Sequence, residues 1–73
     1  MKLRQTFAEN LKRLRLEKKL SQEELAFEAG MDRSYVSLLE RKKSSASLDM
    51  IEGLAKALGV DPIAFFAKPT RKK

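Results

Sequence analysis

The chain contains no cysteine and no histidine. Without cysteine there is no disulfide and no thiolate metal site. Without histidine it lacks the usual general base and the commonest transition-metal ligand. No nucleophile–base pair is left, so an enzyme is not expected and neither is a cofactor. No apolar run approaches the roughly 18 residues that span a bilayer. Lys2, Arg4, Glu9 and Asn10 interrupt the N-terminal stretch where an exported chain would carry its apolar core. The expectation is a cytoplasmic protein. β-branched residues are scarce, no alternating run suits a strand, and neither an internal repeat nor a linker appears. At 73 residues there is room for one small domain with a modest core.

What is present is charge of one sign. Sixteen Lys and Arg stand against ten Asp and Glu, a net of +6. The excess is uneven. Seven bases between Met1 and Leu20 face only Glu9 and Glu17, while Ser21 to Met31 carries Glu23, Glu24 and Glu28. Asp32 to Ala46 turns basic again with Arg33, Arg41, Lys42 and Lys43 against Asp32 and Glu40. The chain ends in Lys68, Arg71, Lys72 and Lys73. Such a polarised surface favours a polyanionic partner over a merely soluble basic protein.

The pattern is all helical. Leu3, Phe7, Leu11 and Leu14 recur at helical spacing and predict a first helix over about Lys2 to Lys19, with Ala8 and Leu16 off the buried stripe. Ser21-Gln22-Glu23-Glu24 is a capping box opening a second helix, which buries Leu25, Ala26 and Ala29 and stops at Gly30. Asp32 caps a third helix running to about Arg41, with Val36 and Leu39 inward and Arg33, Ser34 and Ser37 outward. Ser47 caps a fourth, with Leu48, Ile51, Leu54, Ala55 and Leu58 on one face and Gly59 at its end. Asp61-Pro62 starts a short fifth helix with Ile63, Phe65 and Phe66 on its apolar side. Residues 1–68 form the domain, and 69–73 form a basic flexible tail.

The second and third helices meet several constraints at once. With Gln22 as the first position, a small residue, Ala26, is fifth, where two helices cross closely. Gly30 is ninth and turns the corner. Val36 and Leu39, fifteenth and eighteenth, anchor the next helix. Two helices joined by so tight a turn make a helix-turn-helix, the unit that lays its second helix in the major groove of DNA.

Here the chain resembles a known family. LKRLRLEKKLSQEELAFEAGMDRSYVSLLERKK and the later LAKALGVDP are similar to the phage repressor and Cro type of regulator, also called the xenobiotic-response-element family. DRSYVS, with a Phe-Phe pair near the end, is similar to the controller proteins of restriction-modification systems within it. The resemblance implies a compact, five-helix, lambda-repressor-like domain. It also implies a transcriptional regulator that binds a palindromic operator in double-stranded DNA as a homodimer.

Position by position, the resemblance places Arg33, Ser34, Tyr35 and Ser37 against bases. An arginine there can fork onto guanine O6 and N7. Tyr35 alternatively packs half-buried. Gln22, at a helix N-terminus suited to an anion, matches a phosphate contact. Arg41, Lys42, Lys43, Ser44 and Ser47 approach the phosphates beyond the third helix. Arg15 and Glu40 match a structural ion pair between the first and third helices. Ile63, Phe65 and Phe66 form the dimer-facing group, one phenylalanine closing the core and the other meeting the second subunit. The chain departs from the family at Lys42, where many relatives carry glycine, and at Ala46, where they carry proline. A reading from another class is an antitoxin-like protein-interaction module that binds DNA only secondarily.

Overall fold

The structure is a computed structural model that describes residues 2–68. The basic segment 69–73 lies outside the described residues. Four α-helices run in order: α1 (Leu3–Glu17), α2 (Gln22–Ala29), α3 (Arg33–Glu40) and α4 (Leu48–Leu58). A 3-10 helix, Pro62–Phe66, follows. Among the described residues there is no strand and no helix long and apolar enough to cross a membrane.

The expected fifth helix is thus a short 3-10 turn, and the chain has four α-helices rather than five. The reason lies in α1. Asn10 is 1% exposed, and its side-chain amide donates to the Phe65 carbonyl at 2.7 Å and to the Ala67 carbonyl at 2.8 Å. Asn10 accepts in turn from Arg13 at 3.1 Å. Asn10 thus captures the turn's last carbonyls and seats Phe65 in the core, where its ring lies 5.0 Å from that of Phe7.

The core is Phe7, Leu11, Leu14, Leu25, Ala26, Val36, Leu39, Leu54, Ala55, Leu58 and Phe65. Ala8, expected off the stripe, is buried at 1%. Leu3 and Leu48, expected on buried faces, are exposed, as is Leu16. Each sits at a helix end, where no neighbouring element lies over it.

All four helices end the same way. A left-handed residue follows the last turn, and its own N–H and that of the next residue return to carbonyls inside the helix. In α2 and α4 that residue is Gly30 (φ 72°) or Gly59 (φ 70°). In α1 and α3 it is Lys19 (φ 59°) or Lys42 (φ 64°). Lys19 and Leu20 bond back to Leu16 and Arg15, and Lys42 and Lys43 bond back to Leu39 and Leu38. Both helices are therefore shorter than expected, and Lys42 takes the glycine's conformation itself. The N-termini follow the capping reading at Ser21, whose hydroxyl accepts from Glu24 N–H while Glu24 accepts from Ser21 N–H. They follow it also at Ser47, which accepts from Met50 N–H. Asp32 departs from it. Its carboxylate accepts from the Ser34 hydroxyl at 2.6 Å and makes no capping bond to α3.

Two glycine substitutions separate backbone strain from packing. A Cβ at Gly30 meets nothing within 4 Å, so Gly30→Ala is opposed only by the left-handed backbone and costs about 1–2 kcal/mol. Gly53 lies inside α4, where an added Cβ comes no closer than 3.6 Å to Ala29 O. Gly53→Ala therefore stabilises by up to about 1 kcal/mol. Thermal unfolding followed by circular dichroism should move in opposite directions for the two.

Candidate nucleic-acid interface

α2 and α3 pack through Ala26, which is 2% exposed, and through Val36 and Leu39, which are fully buried. Gly30 turns the chain between them. This places the face bearing Arg33 and Ser34 outward. Arg33 stands exposed in the first turn of α3. Arg41 follows the last turn, about 12 Å further along the axis at 1.5 Å per residue. Lys42 and Lys43 continue the exposed basic run, and Ser44 is half-buried beside them.

A buried ion pair sets the orientation of α3. Arg15 donates to both oxygens of Glu40, from Nε at 2.6 Å and from a terminal nitrogen at 3.1 Å. Its other terminal nitrogen donates to the Leu20 carbonyl at 2.7 Å. The two side chains are only 9% and 3% exposed. The expected structural pair between the first and third helices is present. It also reaches α2, because Gln22 donates its side-chain amide to Glu40 at 3.1 Å. Gln22 stands at the first position of α2, as a phosphate contact requires, with one amide hydrogen held by Glu40 and a second still to donate.

The other expected site residues fall into different surroundings. Ser37 is half-buried on α3. Ser34 is exposed, but its hydroxyl proton is given to Asp32. Tyr35 is half-buried and packs on the core, and its hydroxyl donates to the Ser45 carbonyl at 2.5 Å. Ser47 uses its hydroxyl oxygen to cap α4, which leaves the hydroxyl proton to donate. Of the dimer-facing trio, Ile63 is 73% exposed and Phe66 partly buried. Phe65 needs correction: it is 0% exposed within a single chain, packed on Phe7, and cannot face a partner. Leu48, expected on the buried face of the fourth helix, instead joins Ile51, Ile63 and Phe66 around a shallow apolar groove of about 290 Å³.

Sequence reasoning missed Asn10, and also Arg4, whose Nε donates to the Ser45 hydroxyl at 3.1 Å. Asn10 carried a signal: Phe7, Asn10, Leu11 and Leu14 share one helical face, so a polar residue interrupts a buried stripe. Arg4 and Ser45 carried none, being 41 positions apart in segments without shared periodicity. Among the described residues no group of His, Cys, Asp or Glu is placed to hold a metal.

The helix-turn-helix family matches residues 11–65, which covers α2, α3, α4 and the C-terminal part of α1 from Leu11. The chain belongs to the helix-turn-helix family of transcription regulators. It is 46% identical over 61 residues to the control protein C.BamHI of Bacillus amyloliquefaciens, covering 82% of this chain and 75% of that one. It is 43% identical over 70 residues to a hypothetical transcription factor of Neisseria meningitidis, covering 96% of this chain and 66% of that protein. The chain thus spans just under two thirds of the Neisseria protein. Among solved structures, the restriction-modification controller protein C.AhdI from Aeromonas hydrophila superposes with a TM-score of 0.84 at 46% identity. That match covers 86% of this chain and 96% of C.AhdI. The resemblance to controller proteins drawn from DRSYVS and the Phe-Phe pair is therefore carried by both sequence and fold.

The ion pair generates a test. Glu40→Ala leaves the Arg15 guanidinium buried without its partner, at a cost of about 3–5 kcal/mol. The double variant Arg15→Met/Glu40→Leu removes both charges and should be more stable than either single truncation. Urea unfolding of the four proteins checks this. A double variant no better than the singles would mean that the pair is not held as a dry unit.

Proposed function

We propose that this chain is a sequence-specific double-stranded DNA-binding transcriptional regulator of the controller type, acting in the cytoplasm as a homodimer on a palindromic operator. One observation carries the reading. The outward face of α3, with Arg33 at its start and Arg41, Lys42 and Lys43 at its end, is held to α1 and α2 by the Arg15–Glu40–Gln22 cluster. This arrangement supports a reading helix held in one orientation and flanked by groups that can bind phosphates.

The proposed work divides by residue. α3 enters the major groove and Arg33 forks onto a guanine, with Ser34 and Ser37 beside it. Gln22, at the start of α2, and Arg41, Lys42, Lys43, Ser44 and Ser47 bind phosphates, giving affinity that falls with salt. The exposed Glu23, Glu24 and Glu28 keep the far side of α2 off the polyanion. A second copy packs on the groove formed by Leu48, Ile51, Ile63 and Phe66. This pairing sets two α3 helices roughly 34 Å apart, one turn of DNA.

Selection of bound sequences from a random duplex pool tests the reading directly. Wild type should enrich a palindrome, and Arg33→Ala should blur it at one symmetric pair of positions, a loss of about 1–3 kcal/mol of discrimination. Lys43→Ala should leave the preference intact and reduce the slope of log affinity against log salt by about one. If wild type enriches nothing at moderate salt, the reading fails and a protein partner becomes the better account.

Dimerisation is tested separately. Ile63→Glu should leave the fold intact, since Ile63 is exposed, and should shift sedimentation equilibrium to the monomer. A wild type that is monomeric at high micromolar concentration contradicts the proposed interface.

A further inference from the structure

The segment between α3 and α4 is fastened more firmly than a surface loop requires. At its start, Lys42 N–H and Lys43 N–H return to Leu39 and Leu38 carbonyls at 3.1 and 2.9 Å. At its end, Ser47 caps α4. Between them, Ser45 receives two bonds from distant elements. Its carbonyl accepts the Tyr35 hydroxyl at 2.5 Å, and its hydroxyl accepts Arg4 Nε at 3.1 Å. The recognition helix and the first turn of α1 thus meet on one loop residue. The Tyr35 hydroxyl gives its only proton to that bond, and its ring is seated against the core.

From this geometry we propose that Tyr35 and Arg4 are positioning residues for DNA binding. Acting through Ser45, they hold segment 41–47 in one arrangement, and Tyr35 serves the phosphate contacts without reading a base. The proposal rests on the DNA-binding reading above. Its physical basis is pre-organisation. Lys42, Lys43 and Ser44 lie within the fastened segment, and groups already ordered in the free protein lose less freedom on binding. Lys42 sharpens the point. Its left-handed backbone costs energy in a residue with a Cβ, so this conformation persists only where the surroundings enforce it. The family resemblance places Tyr35 against a base. Here its hydroxyl is committed to the loop, and its effect on DNA passes through the loop's backbone.

The discriminating variant is Tyr35→Phe, which keeps the ring and its packing and removes only the hydroxyl. Two readouts are needed. In the free protein, amide hydrogen exchange at Lys42 and Lys43, whose N–H groups bond back to Leu39 and Leu38, should quicken, with the core amides unchanged. On DNA, affinity should drop about three- to tenfold, the worth of one hydrogen bond. The factor should be the same for the selected palindrome and for its single-base variants. Arg4→Ala should behave likewise and should lose its effect in a Ser45→Ala background, because the two act through one contact.

Unchanged exchange in Tyr35→Phe overturns the proposal, whatever happens on DNA. Loss of preference at a single base position in Tyr35→Phe also overturns it and makes Tyr35 a base reader. An undiminished Arg4→Ala effect in the Ser45→Ala background overturns Arg4's role and makes it a direct contact. A wild type that binds no duplex overturns the DNA-binding reading, and the positioning role falls with it. In that case the exchange measurement still reports the restraint itself.

Discussion

The Arg15 guanidinium and the Glu40 carboxylate share two hydrogen bonds across α1 and α3, almost out of reach of water. Two ions so placed pay a large desolvation penalty, which is recovered only if geometry and neighbours are right. They are right here because Leu20 takes a third guanidinium nitrogen and Gln22 shares a Glu40 oxygen. The pair therefore fixes more than one helix crossing. It ties the end of α3 to α1, to the connection after α1, and to the start of α2. A greasy contact at this place would stabilise as well but would allow α3 to roll. Hydrogen bonds at fixed angles do not, which suits the base-reading role proposed for α3.

The remainder of the molecule is arranged around that constraint. Gly30 and Ala26 permit the close turn, and Val36 and Leu39 press α3 onto the core from its inner side. Asn10 brings the C-terminal turn back onto α1, so that Phe65 closes the core and Ile63 is left outside. Charge is divided accordingly. The bases around α3 and the acids of α2 stand exposed on separate helices, and an apolar groove forms between α4 and the last turn. In the proposed function the basic face of α3 meets DNA and the apolar groove meets a second copy, so that neither intrudes on the other.

Much of this was legible in the sequence because short-range rules govern it. The capping box at Ser21, the cap at Ser47, the glycine stops at Gly30 and Gly59, and the inward Val36 and Leu39 each follow from local chemistry at fixed offsets. The helix pair and the Arg15–Glu40 bond were legible through the resemblance. What escaped was decided by tertiary context. The last helix became a 3-10 turn because a buried asparagine 55 positions away takes its carbonyl. Leu48 and Leu3 fit a helical stripe but extend past the elements that would cover them. Asp32 chose Ser34 over the helix N-terminus, a competition between two nearby donors that composition does not settle. Position alone sets Gln22 and Tyr35 facing DNA, whereas the fold also commits Gln22 to Glu40 and Tyr35 to Ser45.

The central claim is that α3 and the segment after it form a DNA-reading surface distinct from the rest of the molecule. Backbone amide spectra recorded while a duplex of the selected sequence is titrated in would test it most directly. The account predicts shifts at the start of α2, along the exposed face of α3 and through residues 41–47, with Glu28 near the end of α2 left unmoved. Shifts centred on the acidic face of α2, or spread evenly over all basic residues, would contradict it.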